Sequence, residues 1–403
     1  MKRFFLLTTL LASFCGAGLA DDRDEAPVGA DAPEPSGYLT TLLNQALAQS
    51  MPADQQEEMA YGRKETKWAS APKFGGYAIG SYKYSDQDGK HGGDGFNARN
   101  LRLYVDGTVL SDFKYRIQLE MSGDPGASKG PHLKDFFLAW SHWKELEVKV
   151  GQFKRCFTFE NPYNPWEVGV GDYSQMTKKL AGMSDYCGGE STSSGGRDLG
   201  LQLQGDLLPV GKDRHRLFHY QLGLFNGQGI NHADANRRKD WIGTLQLQPI
   251  KDLFIGVFGW KGDMTYSNVT VGRNRYALGV KYEHEGWSAR AEYAHQTGHK
   301  ISDFVYSADT KTQMLRPEAS LGRADGWYVT VGVPCTSWLK VYAKYDAYRD
   351  NASNSSLSSI YSLCPNFQLH KNLQFQLQYN YVCSKLDADR RHNELWGEVY
   401  FRF

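Results

Sequence analysis

The chain ends on residues 393–403, NELWGEVYFRF, and this stretch decides the fold. Leu395, Val399 and Phe401 fall on one parity, whereas Glu398 and Arg402 fall on the other. Because successive side chains of an extended chain point to opposite faces, the stretch predicts a strand with one apolar and one polar face. A barrel in a bacterial outer membrane commonly ends this way, since its last strand must pair with its first to leave no edge in lipid.

The same alternation continues backwards to Phe74. In residues 113–121, for example, Phe, Tyr, Ile, Leu and Met alternate with Lys, Arg, Gln and Glu. Counting such segments predicts about sixteen strands, with ambiguous patterns at 252–261 and 356–364. Tight turns, such as the one at Lys144, alternate with long polar connections, such as 262–273, as expected of short periplasmic turns and long external loops. The predicted fold is therefore all-β, a transmembrane antiparallel β-barrel.

The N-terminal part differs in composition. Lys2 and Arg3, the apolar run 4–14 and the small residues before position 21 predict a signal peptide over 1–20. Residues 21–73 predict a periplasmic leader, acidic and Pro/Ala-rich at first and then suited to a short amphipathic helix. The outer-membrane barrel domain is then 74–403.

The composition limits the classes of partner and cofactor that we expect for this protein. The 24 Tyr, 20 Phe, 10 Trp and 42 Gly suit a barrel whose aromatic residues gather at both membrane interfaces, with outer-membrane lipid as a partner. The 46 basic and 45 acidic residues leave no basic surplus, so we expect no nucleic acid partner. No metal-ligand or phosphate-loop motif is present, and we expect no cofactor.

The third long connection, 154–196, is rich in Pro, Gly, Trp and Tyr, which favours an ordered loop. We expect it to fold into the lumen of the barrel and narrow it; the alternative is a surface loop at a subunit contact. Cys156 and Cys187 lie within it and could form a disulfide in an oxidising compartment, or both could stay reduced.

Four blocks together resemble the phosphate-selective porin O and P family: 100–107 with 115–120, 150–157, 197–205, and 220–231. The resemblance runs from about Phe74 to Phe403. It implies a sixteen-stranded homotrimeric barrel with the third loop constricting the pore and Arg and Lys along the path. Where phosphate-selective members carry a Phe-Ile-Glu-Arg-like run, this chain has 173–179, YSQMTKK, which puts phosphate selectivity in question.

A narrow passage with low-dielectric walls strengthens the effect of a few aligned charges on a permeating ion. On strand parity and loop position, nine cations are candidates for contact with anions: Lys114, Arg116, Lys149, Lys154, Arg155, Lys178, Lys179, Arg197 and Arg290. Each could instead pair with a carboxylate across the strands.

These features predict a passive outer-membrane porin for small hydrophilic solutes, with an anion preference that could include phosphate. No catalytic constellation is evident, and we expect no enzymatic activity. Two alternatives from other classes stay open: a non-conducting barrel that serves as an adhesin or envelope anchor, and an outer-membrane hydrolase active at the barrel rim.

Overall fold

The computed structural model describes residues 69–87, 94–122, 131–183, 194–234, 236–266, 269–299, 303–307, 309–319, 321–387 and 389–403. The described residues belong to one compact unit, Lys67–Phe403. The predicted signal peptide, 1–20, and most of the predicted leader, 21–73, lie outside the described residues.

Sixteen antiparallel strands close into a barrel, which confirms the predicted fold class. Fifteen of the neighbouring pairs follow the order of these strands along the chain, and the sixteenth pair joins the first strand to the last. The barrel strands are β1 (Lys73–Ser85), β2 (Gly95–Val109), β3 (Phe113–Glu120), β4 (His132–Trp140), β5 (Glu147–Lys154), β6 (Arg197–Val210), β7 (His215–Phe225), β8 (Asp240–Ile250), β9 (Leu253–Tyr266), β10 (Val269–His284), β11 (Trp287–Gly298), β14 (Gly322–Pro334), β15 (Leu339–Arg349), β16 (Leu357–His370), β17 (Leu373–Ser384) and β18 (Arg391–Arg402). A separate hairpin consists of β12 (Phe304–Ser307) and β13 (Thr312–Leu315).

The closing seam lies between β1 and β18. Their register runs from Tyr77 opposite Arg402 to Ser85 opposite Glu394. Beyond it, the Gly76 and Phe403 backbones exchange hydrogen bonds of 2.9 and 3.1 Å. The C-terminal stretch is therefore the strand that removes the last open edge, as its pattern predicts.

The wall has an apolar outside and a polar inside. On β6, Leu199 and Leu201 are 41% and 40% exposed, whereas Gln202, the residue after Leu201, is 2% exposed. On β18, Val399 is 41% exposed and Glu398 is 1% exposed. This inversion of the pattern of a soluble protein is what a barrel surrounded by lipid requires.

Except at the connection between β9 and β10, short and longer connections alternate, so one end of the barrel carries turns and the other carries loops. The prediction of a long connection at 262–273 is wrong, because β9 and β10 continue as a paired ladder to Tyr266 opposite Val269. Polar side chains there do not end the strands, since backbone pairing needs no apolar face. The turn predicted at Lys144 is longer than expected and spans residues 141–146. Among the described residues, no helix combines the length and apolarity needed to cross a membrane.

Candidate functional site

The candidate site is built by the connection between β5 and β6, of which residues 155–183 and 194–196 are described. We call 155–183 the inner segment. The two ends of the whole connection meet where the Arg155 N–H donates to the Gly196 carbonyl at 2.8 Å, and the Asn161 amide donates to the carbonyls of both residues. Gly196 has a φ of +76°, and a Cβ there would lie 1.7 Å from the Asn161 Oδ1 atom, so the junction requires glycine.

The first anchor of the inner segment is a carboxylate on β11. Glu292 accepts hydrogen bonds from the backbone N–H groups of Phe159 and Glu160, at 2.6 and 2.9 Å, and from the Tyr328 hydroxyl of β14 at 2.6 Å. Glu292 is 3% exposed. Three donors on one buried side chain therefore tie the start of the inner segment to β11 and β14.

Aromatic and aliphatic side chains pack behind this anchor. Phe157, Met176 and Leu180 of the inner segment are fully buried, and they belong to one apolar cluster with Phe258 and Trp260 of β9. Phe157 meets the Trp260 ring edge to face, with centroids 5.5 Å apart. Burial of each such side chain stabilises the arrangement by roughly 1.5–3 kcal/mol. The inner segment is therefore held by a core of its own as well as by polar anchors.

The inner segment contains a short helix, α1 (Gln175–Leu180), whose N-cap is Ser174. The Ser174 hydroxyl accepts from the Thr177 N–H at 3.1 Å and donates to the Glu160 carboxylate at 2.6 Å. Lys178 and Lys179 fall in the last turn of this helix, where positive charge is favourable. The cap thus fixes the helix against the start of the inner segment and sets the direction of both lysines.

Further anchors lie on strands remote from β5. The Lys344 ammonium of β15 donates to the Asp172 carbonyl at 3.1 Å, and the Asn366 amide of β16 donates to the Gly169 carbonyl at 2.9 Å. Gln378 of β17 accepts from the Gly171 N–H, and Trp166 meets Tyr77 of β1 with ring centroids 4.4 Å apart. The inner segment therefore lies against the polar face of the wall on strands far from the pair it connects.

Most of the nine predicted cations lie in ion pairs. Two of them are buried in pairs that hold the junction: Arg155 with Asp198 at 2.8 Å and Arg197 with Asp135 at 2.8 Å. The remaining pairs are Arg116 with Asp106 at 2.7 Å, Lys149 with Glu147 at 3.6 Å and Lys178 with Asp172 at 2.9 Å. Arg155 and Arg197 are each 2% exposed, so both side chains are almost fully enclosed by protein.

The other four cations differ among themselves. Lys154 donates to the carbonyls of Asn161 and Tyr163, and Arg290 donates to the Val168 carbonyl, so both brace the inner segment. Lys114 is exposed and lines a recess at the short-turn end of the barrel. Lys179 is exposed, and its ammonium lies 5.3 Å from the centroid of the Tyr348 ring.

Asp172 forms ion pairs with a side chain of the barrel wall and with a side chain of the inner segment. Lys178 lies 2.9 Å from its carboxylate and Arg99 of β2 lies 3.4 Å from it. The positive charge of Lys83 of β1 also stabilises the ionised form of this carboxylate. The Lys83 ammonium lies 3.6 Å from the centroid of the Trp396 ring. We call Lys83, Arg99, Asp172, Lys178 and Lys179 the cation cluster. With Glu398, which pairs with Arg99 at 3.0 Å, its four positive charges stand against two negative charges.

Protonation of the cluster follows from this arrangement. Burial alone would raise the pKa of the Asp172 carboxyl, but Lys178, Arg99 and Lys83 outweigh burial and hold that pKa well below its usual range. Desolvation opposes the charge of Lys178, yet Asp172 outweighs it and raises the pKa of that ammonium. Desolvation and the charge of Lys178 lower the pKa of Lys179. At neutral pH the carboxylate is therefore ionised, and Lys179 is the cation of α1 that loses its charge first as pH rises.

Sequence parity misses Arg99. Residues 80 and 79 of β1 pair with 98 and 100 of β2, so Arg99 is the extra residue of a β-bulge. A bulge turns a side chain away from the strict alternation of the strand. Lys83 could have been found, because it shares the inward parity of Tyr77 and Ile79, which are each 1% exposed.

Cys156, for which the sequence left open either a disulfide with Cys187 or a reduced state, is a free and buried thiol. Its sulfur donates to the Ile242 carbonyl at 3.5 Å, and burial raises the pKa of this thiol to about 12. Packing against β8 directs the side chain into the wall. Cys187 itself lies outside the described residues.

Comparison with known proteins supports the sequence-based resemblance. The model of the family "phosphate-selective porin O and P" matches residues 75–205. No curated protein matches the chain. The match and the closed barrel confirm both the predicted resemblance and the predicted outer-membrane localisation.

Solved structures share the fold at low sequence identity. An anion-selective porin from Comamonas acidovorans is 14% identical, with a TM-score of 0.62 over 83% of this chain and 100% of the porin. The outer-membrane channel DcaP of Acinetobacter baumannii is 12% identical, with a TM-score of 0.55 over 85% and 99%. The trimer form of OmpT from Vibrio cholerae is 12% identical, with a TM-score of 0.53 over 83% and 99%. At such identities the likeness establishes the porin-type barrel fold.

Proposed function

We propose that this barrel is an outer-membrane porin that lets small hydrophilic solutes diffuse passively and favours anions. The observation that carries the proposal is the cation cluster: three cations converge on Asp172, and Lys179 stands exposed beside them. The family match favours a channel over an enzyme, an adhesin or an envelope anchor.

The inner segment supplies the constriction in this proposal. It narrows the interior because its anchors reach strands β1, β11, β15, β16 and β17. Charges beside a narrow aqueous path act on an ion more strongly than charges on an open surface, because the low-dielectric wall confines the field. A net positive cluster therefore lowers the barrier for anions relative to cations.

Phosphate is one candidate solute, because the matching family model carries that description. The cluster shows no specific preference for phosphate. The two terminal nitrogens of Arg99 already donate to Glu398 and Asp172, so this guanidinium has no unoccupied pair of N–H donors for a phosphate. We therefore propose a general anion preference. We also propose a homotrimer, which agrees with the resemblance and with the trimer form of OmpT.

The test is reversal-potential measurement on purified protein in planar bilayers under a salt gradient. Wild-type protein should give single-channel steps and an anion-favouring potential. Lys178→Glu/Lys179→Glu should move that potential toward cations, because it changes the charge of the cluster by four units. The matched control is Lys212→Glu/Lys251→Glu, which makes the same charge change in the exposed short turns and should leave the potential nearly unchanged.

Two outcomes would contradict the proposal at different levels. The absence of conductance steps from folded wild-type protein would refute the porin function and favour the adhesin or anchor alternative. A cation-favouring wild-type potential, or equal shifts in the double variant and its control, would refute only the role of the cluster. Phosphate added as a competitor should reduce chloride current without the strong block that a dedicated phosphate site would produce.

A further inference from the structure

A second charged cluster lies on the outside of the barrel, at the end that carries the long connections. On β14, Tyr328 is fully buried in the interior, and Val329 and Val331 are 44% and 38% exposed on the outer face. Asp325 and Arg323 share the parity of these valines, and they lie near the end of β14 that follows the long connection. Two charged side chains thus belong to the face that otherwise meets lipid.

Asp325 is only 2% exposed although it lies on the outer face. Arg349, opposite it on β15, covers it with a two-nitrogen ion pair whose Nε–Oδ1 distance is 2.8 Å. The Tyr293 hydroxyl of β11 donates to the same carboxylate at 3.3 Å. The carboxylate is therefore neutralised and shielded, so it cancels one positive charge and presents none of its own to the surroundings.

Two more cations flank Arg349. Asn354 accepts from Arg349 through its side chain at 3.3 Å and from the Lys385 ammonium through its carbonyl at 2.7 Å, so both cations meet at one residue. Arg323 lies two residues from Asp325, one row higher, about 7 Å along the strand. It is exposed and makes no side-chain hydrogen bond or ion pair with the part of the chain that the structure describes. The patch thus carries three cations against one covered carboxylate.

The depth of this patch is marked by aromatic side chains on the rows toward the middle of the barrel. Trp327 lies 5.4 Å from the Arg349 guanidinium, and Tyr345 and Tyr361 pack with ring centroids 5.0 Å apart. Aromatic girdles of this kind sit at the level where hydrocarbon meets headgroups. Because short turns face the periplasm, the patch lies at the headgroup level of the outer leaflet.

We infer that Arg323, Arg349 and Lys385 form a binding site for the phosphate group of an outer-leaflet lipid headgroup. Guanidinium groups bind phosphate through paired N–H donors, and an ammonium adds a mobile point charge. The nitrogens of Arg349 are held by Asp325 and Asn354, so this residue positions the site, whereas the exposed Arg323 and Lys385 supply the donors that close on the ligand. The lipid would bind along the aromatic girdle beside β14–β16 and leave the lumen untouched.

The test compares lipid binding to detergent-solubilised protein, using a glycolipid with two phosphates and the same lipid after enzymatic removal of both. Arg323→Gln/Lys385→Gln removes two cations and leaves the Arg349–Asp325 pair intact. Each cation near an anionic headgroup is worth roughly a fivefold change in affinity, so we expect removal of two cations to lower the affinity for the phosphorylated lipid about 25-fold. The control Lys212→Gln/Lys251→Gln, at the short-turn end, should bind like the wild type.

Each outcome decides the inference. Selective binding of the phosphorylated lipid that falls in Arg323→Gln/Lys385→Gln but not in the control supports it. Equal affinity of both lipids, or equal affinity of variant and wild type, overturns it. If Arg323→Gln/Lys385→Gln bound lipid like the wild type but no longer formed its oligomer, the patch would be a contact between subunits and not a lipid site. The single-channel reversal potential of the variant should match the wild type, so failure here is separable from failure of the porin proposal.

Discussion

Arg99 reaches across the closing seam of the barrel to Glu398. It stands on β2 and Glu398 stands on β18, with β1 between them, and two guanidinium–carboxylate hydrogen bonds of 3.1 and 3.0 Å join the pair. The contact exists because a β-bulge turns Arg99 inward. The same side chain touches Asp172 of the inner segment, so one residue links the seam, the bulge and the cation cluster.

Arg99→Gln should move the reversal potential toward cations. The substitution removes one positive charge and leaves the Glu398 carboxylate without its paired donors. Arg99→Lys keeps the charge but not the fork geometry, so its shift should be clearly smaller. The measurement is the salt-gradient potential of all three proteins. Identical potentials for wild type and Arg99→Gln would remove this residue from the permeation path.

Glu292→Ala should loosen the inner segment. The change removes the acceptor of two backbone N–H groups and of the Tyr328 hydroxyl, and buried donors left without partners cost about 1–3 kcal/mol each. We expect a lower thermal unfolding midpoint in detergent, together with noisier and larger single-channel currents. Glu145→Ala, on an exposed turn, is the matched control. Quiet wild-type-like currents from the Glu292 variant would mean that the other anchors suffice.

Anion preference should weaken as pH rises from 7 to 10. The pKa of Lys179 is lowered by desolvation and by the positive charge of Lys178, so its ammonium deprotonates before an ordinary lysine does. The pKa of Lys178 is raised in spite of desolvation, because Asp172 stabilises its charge. Of the two lysines of α1, Lys179 thus loses its charge first on the alkaline side. Lys179→Gln should therefore reduce this pH dependence, whereas an unchanged alkaline shift in that variant would assign it elsewhere.

Cys156 should resist alkylation in the native protein at neutral pH. Burial raises the pKa of the thiol to about 12, so little thiolate is present. Cys335 is exposed in a short turn and should react quickly, which makes it the internal control. Mass spectrometry after denaturation without reductant should then show Cys156 as a newly accessible thiol. A peptide joining Cys156 to Cys187 would contradict the structure at this position.

Much of the wall could be predicted from the sequence, because lipid and water impose a strict alternation. The segments at 252–261 and 356–364, ambiguous by pattern, are strands β9 and β16, which extend beyond these bounds. The connection predicted at 262–273 fails because polarity alone does not distinguish a loop from a strand that continues above the membrane. Alternation reports which face a residue occupies; it does not report where pairing stops.

In the candidate site, too, some residues could be predicted from the sequence and their contacts could not. Lys178 and Lys179 could be predicted as neighbours in the long connection, but their partners could not. Asp172 meets Lys178 through the turn into α1, and it meets Arg99 only because β2 bulges. Arg155 and Arg197 looked like pore cations, yet Asp198 reaches Arg155 through the pairing of β5 with β6, and Asp135 of β4 reaches Arg197 of β6 across β5.

By itself, the sequence determined the barrel: its alternation specifies an apolar outside and a polar inside, and its C-terminal strand specifies closure. Only the tertiary structure decided which charges meet. The two-residue period of a strand determines which face a side chain lies on, but it does not determine which side chain it contacts. The ion pairs of this protein join residues up to 299 positions apart. Closure brings such residues together, so the balance of charge around Asp172 exists only in the folded barrel.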